Sequence, residues 1–444
     1  MQRALDFDKT PALSVPLPFF LNVPAFGILA GLLAIWAGPA VFTSRWSPAA
    51  LALTHLWTLG ILGSAMLGAL LQILAVACNV AVRPPQAVAA SVWVLFTAGT
   101  VCLVAGFLWW APWAWISAVI LLGVAFSVYL GAMAWALWQD RGQVYKGARE
   151  ILVPIRGALV ALAITVLIGM AMAGGLAAGH GPSVWVGSHL VWGLLGWGGL
   201  LLMGMSFQLL PIFQLTELYP KPLVRWLPLL IPGLLAAWTA LDASAGLPSL
   251  MRETLELLLA GAWTIWVAVS LQRLWTRKRP TPEPTSLFWI TGLVCLLLCA
   301  PVWIWMRHGQ APEAARVLVV LIVVGGLGSV VQGMLYKIMP FLLWKHAQDA
   351  RVIPSHNPAL ARVYLKILPK MDSYIPANPA RWQWGLHVLV IISYVLATTG
   401  LVWAGYAAGP LMLAASLMLA INMGRALHLY RRTGQAMWAM AQAR

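Results

Sequence analysis

Gly199-Leu-Leu-Leu-Met-Gly204-Met-Ser-Phe-Gln208-Leu-Leu-Pro211 decides how this chain is built, because its pattern occurs three times. An earlier copy runs Gly63-Ser-Ala-Met-Leu-Gly68-Ala-Leu-Leu-Gln72-Ile-Leu-Ala75, and a later one Gly328-Ser-Val-Val-Gln-Gly333-Met-Leu-Tyr-Lys337-Ile-Met-Pro340. In each, a second glycine follows the first by five residues, a Gln or Lys comes four later, and a Pro or Ala three after that. The copies are almost evenly spaced, so the chain divides into three similar units, 17–137, 152–274 and 287–430. Repetition at a fixed spacing defines an architecture before any single residue is read.

Composition sets the environment. Of the 444 residues, 61% are hydrophobic and 9% charged, against about 25% charged in a soluble domain. Twelve apolar stretches are long enough to cross about 30 Å of hydrocarbon. They fall at 17–36, 48–80, 88–110, 112–137, 152–178, 184–213, 224–241, 254–274, 287–306, 314–343, 382–404 and 408–430. The expectation is an all-α polytopic membrane protein, one membrane domain of four spans per unit, with the motif on the second span of each. Residues 345–381, rich in Pro and Lys/Arg, are expected to form an irregular cytoplasmic loop.

The net charge of +16 does not point to nucleic acid, because of where it sits. With the N-terminus inside, Arg141, Lys146, Arg149 and Arg156 fall on the inner side, as do Arg273, Arg277, Lys278 and Arg279. Lys345, Arg351, Arg362, Lys366, Lys370 and Arg381 join them, then Arg425, Arg431, Arg432 and Arg444. Only Arg45, Arg252, Arg307 and Arg316 fall outside. This is the positive-inside asymmetry of a bacterial-type inner membrane protein with both termini cytoplasmic. Its basic loops rest on lipid head groups. Residues 1–16 hold Asp6 and Asp8 and do not read as a cleavable signal. Trp109, Trp110, Trp113 and Trp115 read as an interfacial belt. The four cysteines make no disulfide framework, and Cys295 with Cys299, one turn apart, suit packing more than a soft metal. No phosphate-cradling glycine loop, no Ser/His/Asp arrangement and no paired carboxylate within a span is present.

Glycines five apart thin one side of a helix, which lets a neighbouring helix or a flat cofactor come close. Gln72, Gln208 and Lys337 then need partners, or for Lys337 a snorkelling route to the interface. Pro211 and Pro340 should end or kink their helices. Histidines in lipid are costly and tend to be functional. His55 and His189 lie in the outer part of the first two motif-bearing spans, while the third has Arg316 at its outer end. His180 and His308 fall in outer loops, and His346, His356, His387 and His428 on or near the inner side, where interfacial hydrogen bonding accounts for them.

Twelve inside-to-inside spans in three units, with outer histidines on spans two and six, resemble the catalytic subunit of haem-copper oxidases. His189, Gly204, Gln208 and Pro211 follow that family's local pattern, and His55, Gly68 and Gln72 follow it more loosely. The chain is similar as well to membrane proteins of the nitric oxide response proposed to share the scaffold. The resemblance implies a low-spin-haem ligand role for His55 and a copper-ligand role for His189. It does not extend to proton-pumping oxygen reduction. No His-His pair is present, span ten has no histidine in its outer half, and Gly193 stands where the family has a cross-linked tyrosine.

Three readings follow. The first is a haem-binding protein with one haem b, or copper, held by His55 or His189 or by both. Arg316 would hold its propionates, and its role would be electron transfer with a periplasmic donor, diatomic gas binding or nitrosative-stress protection. The second is a transporter or channel for a small or metal species. The third is a cofactor-free assembly or partner-binding subunit.

Overall fold

A computed structural model describes residues 5–145, 147–181, 184–243, 249–279, 281–309, 311–350 and 366–442. Lys146, Arg351, Pro354, His356, Pro358, Arg362 and Arg444 of the expected basic segments lie outside them. The described residues contain helices and no strand. In hydrocarbon this is the expected solution, since a helix satisfies every backbone N–H and C=O internally.

The long helices are α1 (Leu17–Ala37), α2 (Pro48–Cys78), α3 (Pro85–Trp109), α4 (Pro112–Gln139), α5 (Arg149–Ala177) and α6 (Val186–Phe213). They continue with α7 (Lys221–Ala243), α8 (Ser249–Trp275), α9 (Pro284–His308), α10 (Pro312–Asp349), α11 (Ala377–Thr398) and α12 (Val402–Gln442). Proline opens α2, α3, α4, α9 and α10, where its missing N–H costs nothing and its fixed φ suits the first turn.

Among the described residues, eleven of these helices are long and apolar enough to cross a membrane. The exception is α11, anticipated from the sequence as span 382–404. Arg381, Gln383 and His387 lower its hydropathy, and Gln383 and His387 are almost fully buried rather than facing lipid. Three further expectations are corrected. α10 continues past Pro340 into the expected loop, so that proline does not end it. Another part of the 345–381 loop is helical too, at Met371–Tyr374. Trp115 is wholly buried against Phe107, not interfacial, whereas Trp109, Trp110 and Trp113 are exposed.

The three motif-bearing helices form the inside of the bundle. The most apolar windows of α2, α6 and α10 are 89%, 67% and 67% buried, against 28–44% for the other spans. Each of the three also switches from α- to π-helical pairing over eight residues, Leu56–Gly63, Trp192–Gly199 and Leu321–Gly328. All three switches end on the first motif glycine. Long π segments are rare and concentrate at functional sites.

The second motif glycine has one role throughout. A Cβ on Gly68 would lie 2.7 Å from Phe19 Cβ, and one on Gly204 2.7 Å from Pro154 Cγ. One on Gly333 would meet Phe288. Phe19, Pro154 and Phe288 stand near the starts of α1, α5 and α9, so each glycine seats a side chain from the helix before it in the chain. The first glycines are covered as well, Gly63 by Phe96, Gly199 by Trp263 and Gly328 by Trp57. The thinned faces therefore serve helix packing. Pro211 does sit two residues from the end of α6, as expected. Lys337 does not simply snorkel: it is mostly buried and pairs with Glu283 at 3.0 Å.

The N-terminal segment lies across one end of the bundle as a 3-10 turn, Phe7–Lys9. Asp6 N–H donates to Val76 O at 2.9 Å, and the Tyr145 hydroxyl donates to Asp6 Oδ2 at 2.6 Å. That hydroxyl holds the Asp6 carboxyl below its usual range, and the same bond pushes the Tyr145 phenol up. A lowered carboxyl contributes fully above the ordinary value of about 3.9 and is lost as pH falls through the lowered value. A raised phenol contributes below about 10 and is lost as pH rises through the raised value. The tie is thus intact at neutral pH. Asp6→Asn is expected to speed proteolytic nicking near the N-terminus at pH 7, while the native protein stays protected down to about pH 4. Equal nicking of the two at pH 7 would contradict the tie.

Candidate functional site

At the end of the bundle opposite the N-terminal turn, the outer parts of α2, α6 and α10 surround a cavity of about 1040 Å³. This is at the top of the range of about 300–1,000 Å³ for small-molecule sites. His55, His189 and Arg316 all line it. His55 is the last residue before the π segment of α2, and His189 lies three residues before that of α6. The structure therefore brings the three anticipated ligand-binding residues onto one space, from one motif-bearing helix each.

The two histidines are oriented alike. His55 Nδ1–H donates to Leu51 O at 2.8 Å, and its ring stacks on Phe107 at 5.0 Å. His189 Nδ1–H donates to Thr165 O at 3.0 Å. A backbone carbonyl accepts only, so each bond places the proton on Nδ1 and leaves the Nε2 lone pair free to ligate. Gly169 makes room for the second ring, since a Cβ there would lie 2.9 Å from His189 Cε1. His346 makes the same bond to Leu342 O at 2.9 Å but does not line the cavity. The bond alone does not mark a ligand; the space in front of it does.

Arg45, Arg252, Arg307 and Arg316, the four arginines assigned to the outer side, all reach this cavity. Two of them are already neutralised. Arg252 pairs with Asp242 at 2.9 Å and Glu256 at 3.3 Å, and Arg307 with Glu253 at 3.1 Å and Glu256 at 3.6 Å. Arg45 lies over the Trp46 ring at 4.8 Å, and Arg316 donates to Thr398 O at 3.0 Å. Neither has a carboxylate partner among the described residues. Arg316 Nε and Trp263 Nε1, both on the cavity lining, make no hydrogen bond. Buried donors left without acceptors are uncommon and call for a bound acceptor.

Other sequence candidates fall elsewhere. His180 and His308 are exposed and do not line the cavity. Cys299 lines it, while Cys295 packs beside Gly325, and no group of three or more His, Cys, Asp or Glu able to hold a metal forms among the described residues. Gln208 is buried with Oε1 unpartnered.

His387 was expected near the interface, yet it is 1% exposed. Its Nε2–H donates to Ser329 Oγ at 2.9 Å, and its Nδ1 accepts from Gln332 Nε2 at 3.1 Å. Gln332 Oε1 in turn accepts from Gln383 at 2.7 Å. Both ring nitrogens are used, so His387 ties α10 to α11 and is not a ligand. Its signal in the sequence was the Gln383/His387 pair at i, i+4 in an apolar span.

No family model matches the chain, and no curated protein matches it, so the reading of the site rests on its own chemistry. The nitrogen donors on the lining are two imidazoles, with the sulfurs of Met170, Met172, Cys299 and Met306 on the same lining. The imidazoles suit a porphyrin iron, which brings four nitrogens of its own and needs only axial donors. The wide, largely apolar cavity and the unpaired arginines suit the ring and its carboxylates.

Proposed function

We propose that the chain is a haem-binding membrane protein on a reduced haem-copper-oxidase-like scaffold of twelve spans in three four-helix units. His55 and His189 would hold a haem b in the outer cavity. The observation that carries this reading is the matched pair of imidazoles, each with Nδ1 tied to a carbonyl and Nε2 free, on the lining of one apolar cavity. When bound, the haem would supply one-electron transfer or diatomic gas binding. The protein orients both imidazoles and surrounds them with largely apolar walls, and Arg316 would hold a haem propionate by a charge-assisted hydrogen bond. Among the described residues no further histidine lines the cavity, which argues against oxygen reduction and leaves electron transfer or gas binding in nitrosative stress. Placing the cavity on the periplasmic side follows from the distribution of Lys and Arg.

Titrating the purified protein with haemin tests the reading, with saturation expected at one haem per chain. Arg316→Ala should still bind but release haem faster during purification. Haem that never saturates, or an equal release rate in the variant, would count against the respective assignment.

A further inference from the structure

We propose that a second, smaller chamber between α2, α6 and α10 binds a small apolar molecule of dissolved-gas size, and that Phe7 closes its far end. This goes beyond the haem assignment and requires no haem.

The chamber measures about 120 Å³ and is lined from all three motif-bearing helices, by residues including Ala65, Leu209 and Val331. Its lining has two polar side chains, Gln72 and Trp289, and the Trp289 indole N–H is already spent on Met334 Sδ at 3.2 Å. A buried water needs two to four polar partners, so a space with a single amide stays dry. Dry apolar cavities of about 150 Å³ take up xenon or benzene. At about 120 Å³ the chamber is slightly smaller than those cavities and suits an occupant of xenon size.

The chamber is in series with the large cavity. Met66, Gly198, Leu202 and Leu327 line both. At this divider Gly198 is pressed on Leu327, with a Cβ position 2.9 Å from Leu327 Cδ1. One layer of side chains separates the two spaces, and methionine is the most adaptable of them. Rotamer changes suffice to connect the chambers, with no movement of a helix.

The opposite end is closed differently. Phe7 lines the chamber, its ring centroid 4.8 Å from that of Phe341 on α10. The turn carrying Phe7 belongs to no span. Polar ties at the bundle end hold it: Asp6 to Tyr145, Lys9 to Asn79, and Lys345 to Asp8 at 3.8 Å. An apolar stopper on polar tethers can lift without unpacking a transmembrane helix. A molecule entering from the large cavity is thereby retained within reach of it.

Xenon is the probe. The full chain in lipid nanodiscs is titrated with xenon and followed by exchange NMR against empty nanodiscs, with melting curves to confirm folding. A saturable site is expected, lost in Ala65→Leu and in Val331→Phe, which fill the chamber from different helices. Phe7→Ala should keep the site and exchange xenon faster. Absence of a saturable site in the native protein, or native-like binding in the folded filling variants, would overturn the chamber. Unchanged exchange in Phe7→Ala would overturn the stopper. Because xenon needs no iron, these results stand whether or not haem is bound.

Discussion

His55→Ala and His189→Ala are each expected to strip most of the haem from the purified protein, whereas His387→Ala keeps it and melts earlier. The three imidazoles are all substantially buried, yet their hydrogen bonds differ. His55 and His189 each spend one nitrogen on a carbonyl, leave the other without a hydrogen-bond partner, and line the large cavity. His387 spends both, on Ser329 and Gln332. Losing it leaves two buried polar groups without their partner, at about 1–3 kcal/mol for each. Haem content by pyridine haemochrome and melting temperature, measured on the same preparations, separate the two roles. Equal haem in all three variants would remove the ligand assignment.

Gly68→Val, Gly204→Val and Gly333→Val should each destabilise the bundle severely. A side chain at these positions must displace Phe19, Pro154 or Phe288, which already lie within 3 Å of where its first carbon would go. Overpacking a closed contact costs about 1–3 kcal/mol and sometimes more. Pro154 can relieve least, since its ring is part of the backbone of α5. Gly261→Val on α8 and Gly424→Val on α12 are the controls, because nothing lies within 4 Å of a Cβ there. Melting curves and yield in the membrane fraction report the difference. If Gly204→Val melts with the controls, the glycines do not set the packing of the inner helices.

The repeat made much of the fold legible. Its three copies pick out the three most buried of the membrane-crossing helices, and glycine spacing correctly marks where a neighbour approaches. The choice between a helix and a cofactor as that neighbour was not legible, because both need the same missing Cβ. Phe19, Pro154 and Phe288 settle it, each about 50 residues before its glycine. The π segments were hidden too. Clusters such as Gly193, Gly196, Gly198 and Gly199 mark a loosened helix but do not set its hydrogen-bond pattern. Proline at 340 misled because α10 lies inside a bundle whose packing holds the helix together through it.

At the site, His55, His189 and Arg316 were readable from their height on the motif-bearing spans. The pairing of the other outer arginines was not. Arg307 meets Glu253, 54 residues earlier in the chain, and each residue alone looks like an ordinary helix-end charge. Trp263 was equally unreadable as a donor, since an unpartnered N–H is a property of the folded surroundings.

The most direct test of the haem assignment is a reduced-minus-oxidised absorption spectrum of the detergent-purified protein, with iron and copper determined on the same sample. A haem b spectrum near one iron per chain, without stoichiometric copper, is the predicted result. Colourless, metal-free protein that resists reconstitution with haemin would contradict it.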